Sequence, residues 1–370
     1  MRVRDVYGNP VDGVSVEFTV TAGGGSVTGS PATSAADGTA AATSWVLGSV
    51  PGTNELIATV AGVADTVTFT ATGLSPIGAP TQMSLAAGDA QTDTVAATLP
   101  ASYSVLVQDE NDNPVPGITV TWTVTGGTGG TITSSSVTDA SGIATATRVL
   151  GTVAGPQTAS GSVGGLTGSP VNFSATATSG APATIAVSAG SGQSATVNTA
   201  LAIDPAVLVE DQFGNPVAGE SVTFSVTAGG GAVVPTTAVS TNASGVATVT
   251  SWTVGTAAGT NNNTLSALAA SGSVSGNPVA LTASATAGAP ASIAMTSGDA
   301  QTAVTGLNVA NQPTVTVSDA FANPVPGATV DFTASGGGSV GTASASTNGS
   351  GVAMTTWTVT TGSNGSMSTT

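Results

Sequence analysis

The chain has no cysteine, no histidine and no lysine, and its only cations among the side chains are Arg2, Arg4 and Arg148. Each absence removes a class of chemistry. Three arginines cannot line a phosphate backbone, so no nucleic-acid partner is expected. Without His or Cys, the common zinc, haem and iron–sulfur sites lack their ligands. A nucleophile activated by histidine and a P-loop lysine are both excluded. Charged residues make up only 6% of the 370, against about 25% in an ordinary soluble protein. The 19 acidic side chains leave a net charge of −16. No run of 18 apolar residues occurs, so no membrane-inserted helix is expected in this segment, and no apolar run follows Met1. Carboxylate chemistry and oxygen-ligated calcium are what remain.

What the chain does contain is repetition. Asp5–Val16 reads DVYGNPVDGVSV, and close copies begin at Asp109, Asp211 and Asp319. Their prolines, Pro10, Pro114, Pro216 and Pro324, are spaced by 104, 102 and 108 residues. Other landmarks keep step: an aromatic at Phe18, Trp122, Phe224 and Phe332, then a glycine-rich bend, then a strand ending at Trp45, Arg148, Trp252 or Trp357. Gly-Ala-Pro recurs at 78–80, 180–182 and 288–290. A period near 100 is too long for a solenoid unit and matches a whole sandwich domain.

The local pattern is strand. VSVEFTVTA alternates Val14, Val16, Phe18 and Val20 with polar residues, period two, and Thr and Val suit strands. No segment has helical periodicity. In DxxxNPVxG, proline fixes φ and removes a ladder donor, the preceding residue is held extended, and glycine permits positive φ. The Asp side chain can accept nearby backbone N–H groups, which places Asp5 beside Asn9. The expected domains are 1–79, 80–181, 182–289 and 290–370, the first lacking its opening strand and the last its closing strands. Linkers of about three residues with proline predict a semi-rigid rod, four strand lengths of about 33 Å or on the order of 130 Å in all.

The combination of D-x-x-G-N-P-V-x-G-x-x-V-x-F, a Gly-Gly-Gly bend, an S-G-x-A-x-x-x-W strand and a Phe-Thr-Ala-Thr-Ala strand resembles the bacterial immunoglobulin-like domain of group 1, repeated in invasin and intimin-type surface proteins. The resemblance implies an all-β chain of tandem immunoglobulin-like sandwiches. It also implies an extracellular, bacterial cell-surface location and a non-catalytic stalk that supports adhesion. The partners are then the neighbouring repeats, and a host-cell receptor met through a tip outside this segment. The family supplies no catalytic set, so neither an enzyme nor a cofactor is expected. The same module occurs in virions, which leaves a phage tail or capsid fibre as an alternative.

Sharper readings compete with plain ones. Asp5 with Asn9, the cluster Asp109, Glu110 and Asp112, and the pair Glu210 and Asp211 offer oxygens to calcium, with Asp109, Glu110 and Asp112 the best set; against this stands the plain turn. No acid lies in a context that suggests the paired carboxylates of a glycosidase. The glycine bends lack the lysine or helix that would make them phosphate cradles. Trp45, Trp252 and Trp357 could stack on sugars, as in a carbohydrate-binding module, although a recurring position favours the core. Sequons stand at Asn172, Asn242, Asn348 and Asn364.

Overall fold

A computed structural model describes residues 1–360 and 367–369. They form strands and turns, and among them no helix occurs. The chain divides into two compact units, Met1–Leu150 with Pro156–Thr176, and Gly151–Gly155 with Ala177–Thr370.

The third repeat, in the second unit, displays the architecture whole. A five-stranded sheet runs in the order Gln193–Thr196, Val279–Thr286, Gly259–Ala269, Ser221–Ala228, Val239–Ser240. A three-stranded sheet runs Pro182–Ala189, Ala206–Asp211, Val246–Thr248. All ladders are antiparallel except one: Gln193–Thr196 lies parallel to Val279–Thr286, Gln193 opposite Ala283 and Thr196 opposite Thr286. A two-stranded ribbon, Ala232–Val234 with Ser251–Thr253, closes one side. This is an immunoglobulin-like sandwich.

The core follows from the period-two alternation. Val207 and Val209 from the smaller sheet meet Phe224, Leu265 and Leu281 from the larger one, with Trp252 among them, all fully or almost fully buried. Burying each large apolar side chain contributes roughly 1.5–3 kcal/mol. The Thr and Ser side chains between them face outward, which is how strands so poor in charge stay hydrated.

The second repeat, mostly in the first unit, keeps the same plan, with the five-stranded order Ser135–Val137, Thr119–Gly126, Gly155–Ser162, Val171–Thr178, Gln91–Thr94. Its core departs at one place. Arg148 takes the tryptophan position and is buried, and the aromatic volume returns from Tyr103, which stacks on Phe173 at 4.4 Å between ring centres. The first repeat has one four-stranded sheet, Ala32–Thr33, Ser15–Ala22, Gly52–Val60, Val67–Gly73. Its Phe69 is 36% exposed where the equivalent Phe173 is 1% exposed. The fourth carries the sheet Ser292–Ser297, Thr314–Ser318, Val352–Met354 and a second sheet built on Thr329–Ala334.

Candidate functional site

The recurrent turn is where the sequence concentrates its polar side chains. In the second repeat, Asp109 Oδ1 accepts the N–H groups of Asn111 and Asn113 at 2.8 and 2.9 Å. Asp109 Oδ2 accepts the Asn113 side-chain amide at 3.0 Å and the Gly78 N–H at 2.7 Å. The pattern repeats: Asp5 with Tyr7 and Asn9, Asp211 with Phe213 and Asn215, Asp319 with Phe321 and Asn323. The expected pairing of Asp5 with Asn9 is met. Four N–H donors stabilise the ionised carboxyl. The Asn113 amide and the Gly78 N–H hold Asp109 at a pKa of about 2. Burial pushes Asp319 upward, but the Gly288 N–H and the Asn323 amide outweigh it and hold it at about 2. Burial likewise opposes the lowering at Asp211, and the Asn215 amide and Gly180 N–H overcome it.

The turn has a second anchor that sequence reasoning missed. Thr241 is buried; its hydroxyl accepts from Glu220 N–H at 2.9 Å and donates to Val217 C=O at 2.6 Å. Thr138, Thr347 and Ser34 do the same in the other repeats. The signal was available: a hydroxyl residue stands at each of these positions, just before the bend that ends in Gly38, Gly142, Gly245 and Gly351.

Of the calcium candidates, Asp109 is fully buried and both its oxygens are occupied by N–H donors, while Glu110 is exposed. Asp112 accepts the Gln82 side-chain amide at 2.6 Å. It also sits at φ +61°, the position that is Gly8 and Gly214 in two sister turns, where Asp is one of the side chains that tolerates the left-handed region. Among the described residues no group of three His, Cys, Asp or Glu is arranged to hold a metal. Glu210 and Asp211 are neighbours on one strand and point to opposite faces. Trp252 is fully buried in the core and offers no face to a sugar; Trp45 and Trp357 are half-buried. Asn172, Asn242 and Asn348 are exposed, and Asn364 lies outside the described residues.

Comparison with known proteins identifies the second repeat. Residues 89–176 match the sequence model of the bacterial Ig-like domain (group 1). The second repeat is a group 1 bacterial Ig-like domain. The inverse autotransporter adhesin YeeJ of Escherichia coli (strain K12) is 35% identical over 159 residues, 42% of this chain. The chain spans 6% of the length of that relative. Among solved structures, the Escherichia coli adhesin FdeC is 21% identical, covering 76% of this chain and 89% of its own, with a TM-score of 0.42. Invasin, a bacterial integrin-binding protein, is 18% identical, covering 78% of this chain and 56% of its own, with a TM-score of 0.40. YeeJ and FdeC are both described as adhesins.

Proposed function

We propose that the four repeats are a non-catalytic spacer in a large extracellular bacterial adhesin, an elongated rod that carries a receptor-binding tip away from the cell surface. The observation that carries this reading is the coincidence of two facts. The same turn recurs once per domain with its hydrogen bonds intact, and a stretch of 159 residues is 35% identical to an inverse autotransporter adhesin. A polar device used four times, with every carboxylate oxygen engaged by the chain's own N–H groups, serves architecture and leaves nothing for turnover. The surface chemistry agrees, since strand faces of Thr and Ser with a net charge of −16 favour solubility over sticking. The receptor-binding residues then lie outside this chain, and its own partners are its neighbouring repeats.

Small-angle scattering of the full chain tests the rod. Four domains end to end, on the order of 130 Å, give a radius of gyration of about 38 Å. A compact particle of 370 residues has about 21 Å. A value near the compact limit rejects the spacer.

A further inference from the structure

Two of the turn's polar atoms reach beyond the turn. Asn323, in the fourth repeat, donates from its side-chain amide to Thr256 C=O at 2.8 Å and accepts the Ala258 N–H on its carbonyl at 2.8 Å. Thr256 and Ala258 belong to a loop of the third repeat. Asp319 meanwhile accepts the N–H of Gly288, the linker glycine, at 2.9 Å. One Asp-Asn pair thus grips its predecessor at two separate places. The same contacts recur within the second unit at the preceding turn: Asn215 with Thr152 C=O and Ala154 N–H, both at 2.8 Å, and Asp211 with Gly180 N–H at 2.8 Å. Asn215 is 6% exposed, so both hydrogen bonds lie largely out of water.

We infer that the Asp-Asn pair of the third and fourth turns is a docking site for the backbone of the repeat before it, with the linker glycine N–H and a Thr-x-Ala loop as its ligand. The loop presents a carbonyl and an N–H two residues apart, and a side-chain amide, one donor and one acceptor in a plane, matches that pair. Aspartate at the asparagine position would set a second anion against the carbonyl. This goes beyond the spacer reading and does not depend on it, because it concerns how consecutive repeats are joined, whatever the array carries.

The chain contains its own variant of the joint. Thr152-Val153-Ala154 and Thr256-Ala257-Ala258 correspond to Ser49-Val50-Pro51 in the first repeat. Pro51 has no N–H. Asn113 therefore cannot receive the bond that Asn215 and Asn323 receive, and among the described residues only the Gly78 contact to Asp109 joins the first two repeats in this manner. The inference ranks the joints: the one between the first and second repeats is the looser.

The test uses the full chain, and the absence of native cysteine allows clean spin-label pairs. Labels at Thr223→Cys and Asp331→Cys, on exposed strand positions of the third and fourth repeats, report one joint; labels at Glu17→Cys and Thr121→Cys report the other. Asn323→Ala should widen the distance distribution of the first pair and speed exchange of the Ala258 amide proton on the order of fivefold. The Phe321 amide, bonded within the turn, should keep its protection; if it does not, Ala258→Pro decides the matter, since it removes the donor and leaves the turn untouched. Pro51→Ala should narrow the distribution of the second pair. Unchanged distributions in Ala258→Pro and Pro51→Ala overturn the inference. Widening in the first and narrowing in the second establish it.

Discussion

Arg148 occupies the position that Trp45, Trp252 and Trp357 hold in the sister repeats, and it is buried. Its guanidinium donates to Thr131 C=O at 3.1 Å, to Val149 C=O, and to Gln157 Oε1 at 3.2 Å, while Nε has no hydrogen-bond partner. Among the described residues no carboxylate pairs with the charge, and burial lowers its pKa. Three positions change together: Tyr103, Arg148 and Gln157 here, against Pro205, Trp252 and Asn263 in the third repeat. Residues in one contact set do not add independently. Arg148→Trp alone should therefore destabilise the second repeat by about 1–3 kcal/mol through overpacking against Tyr103. The triple variant Tyr103→Pro, Arg148→Trp, Gln157→Asn should regain that loss and exceed the parent by about 1 kcal/mol or more, because it replaces a buried charge with a packed apolar ring. Urea unfolding of the three chains measures this; a triple variant no better than the single rejects the coupling. The sequence displayed the replacement at 148 but not its compensation, because Tyr103 lies 45 positions away and reads locally as one more strand aromatic.

At the scale of the element, the turn was legible and its reach was not. Proline, asparagine and a following glycine at a fixed spacing declared the bend, and Gly13, Gly117, Gly219 and Gly327 do sit at positive φ. Strand alternation declared which faces are buried, since period two is a local property. The buried hydroxyls of Thr138, Thr241 and Thr347 escaped because a threonine in a Thr-rich chain carries no mark of its partners. The grip of Asn323 on Thr256, 67 positions back, escaped for the same reason. The turn carboxylates yield a pH prediction whose sign is fixed by geometry. Asp109 and Asp319 titrate at about 2 in the folded chain, below the ordinary 3.8. A depressed folded pKa contributes stability above the unfolded value, lost as pH falls through the folded one. Thermal midpoints should hold down to about pH 4 and fall between about 4 and 2, the window set by those two values. Asp319→Asn should flatten that fall for the fourth repeat while lowering its midpoint at pH 7. A mutant that matches the parent at both pH values would mean the carboxylate contributes nothing to folding.

At the scale of the whole chain, the proposed spacer role requires the chain to carry tension, and the third repeat holds an element suited to that. Its early strand Gln193–Thr196 runs parallel to its last strand Val279–Thr286, with Gln193 opposite Ala283 and Thr196 opposite Thr286. Pulling on the two ends of a repeat draws these strands in opposite directions along their length. Their hydrogen bonds then load together in shear, whereas an antiparallel hairpin pulled from its open end loses its bonds one at a time. If 182–289 and 80–181 are independent domains, each should open as a single event in a force–extension trace of the full chain. A repeat of 102 or 108 residues extends at most about 3.6 Å per residue, so each event should release at most about 37 to 39 nm of contour less the folded length. Ala195→Pro removes a donor from the middle of the parallel pair and should lower the opening force of one event while leaving the other unchanged. Two consequences separate the ideas. Events of half or double that length would refute the domain boundaries. Correct lengths with no drop in force on Ala195→Pro would keep the boundaries and reject the parallel pair as the element that bears the load.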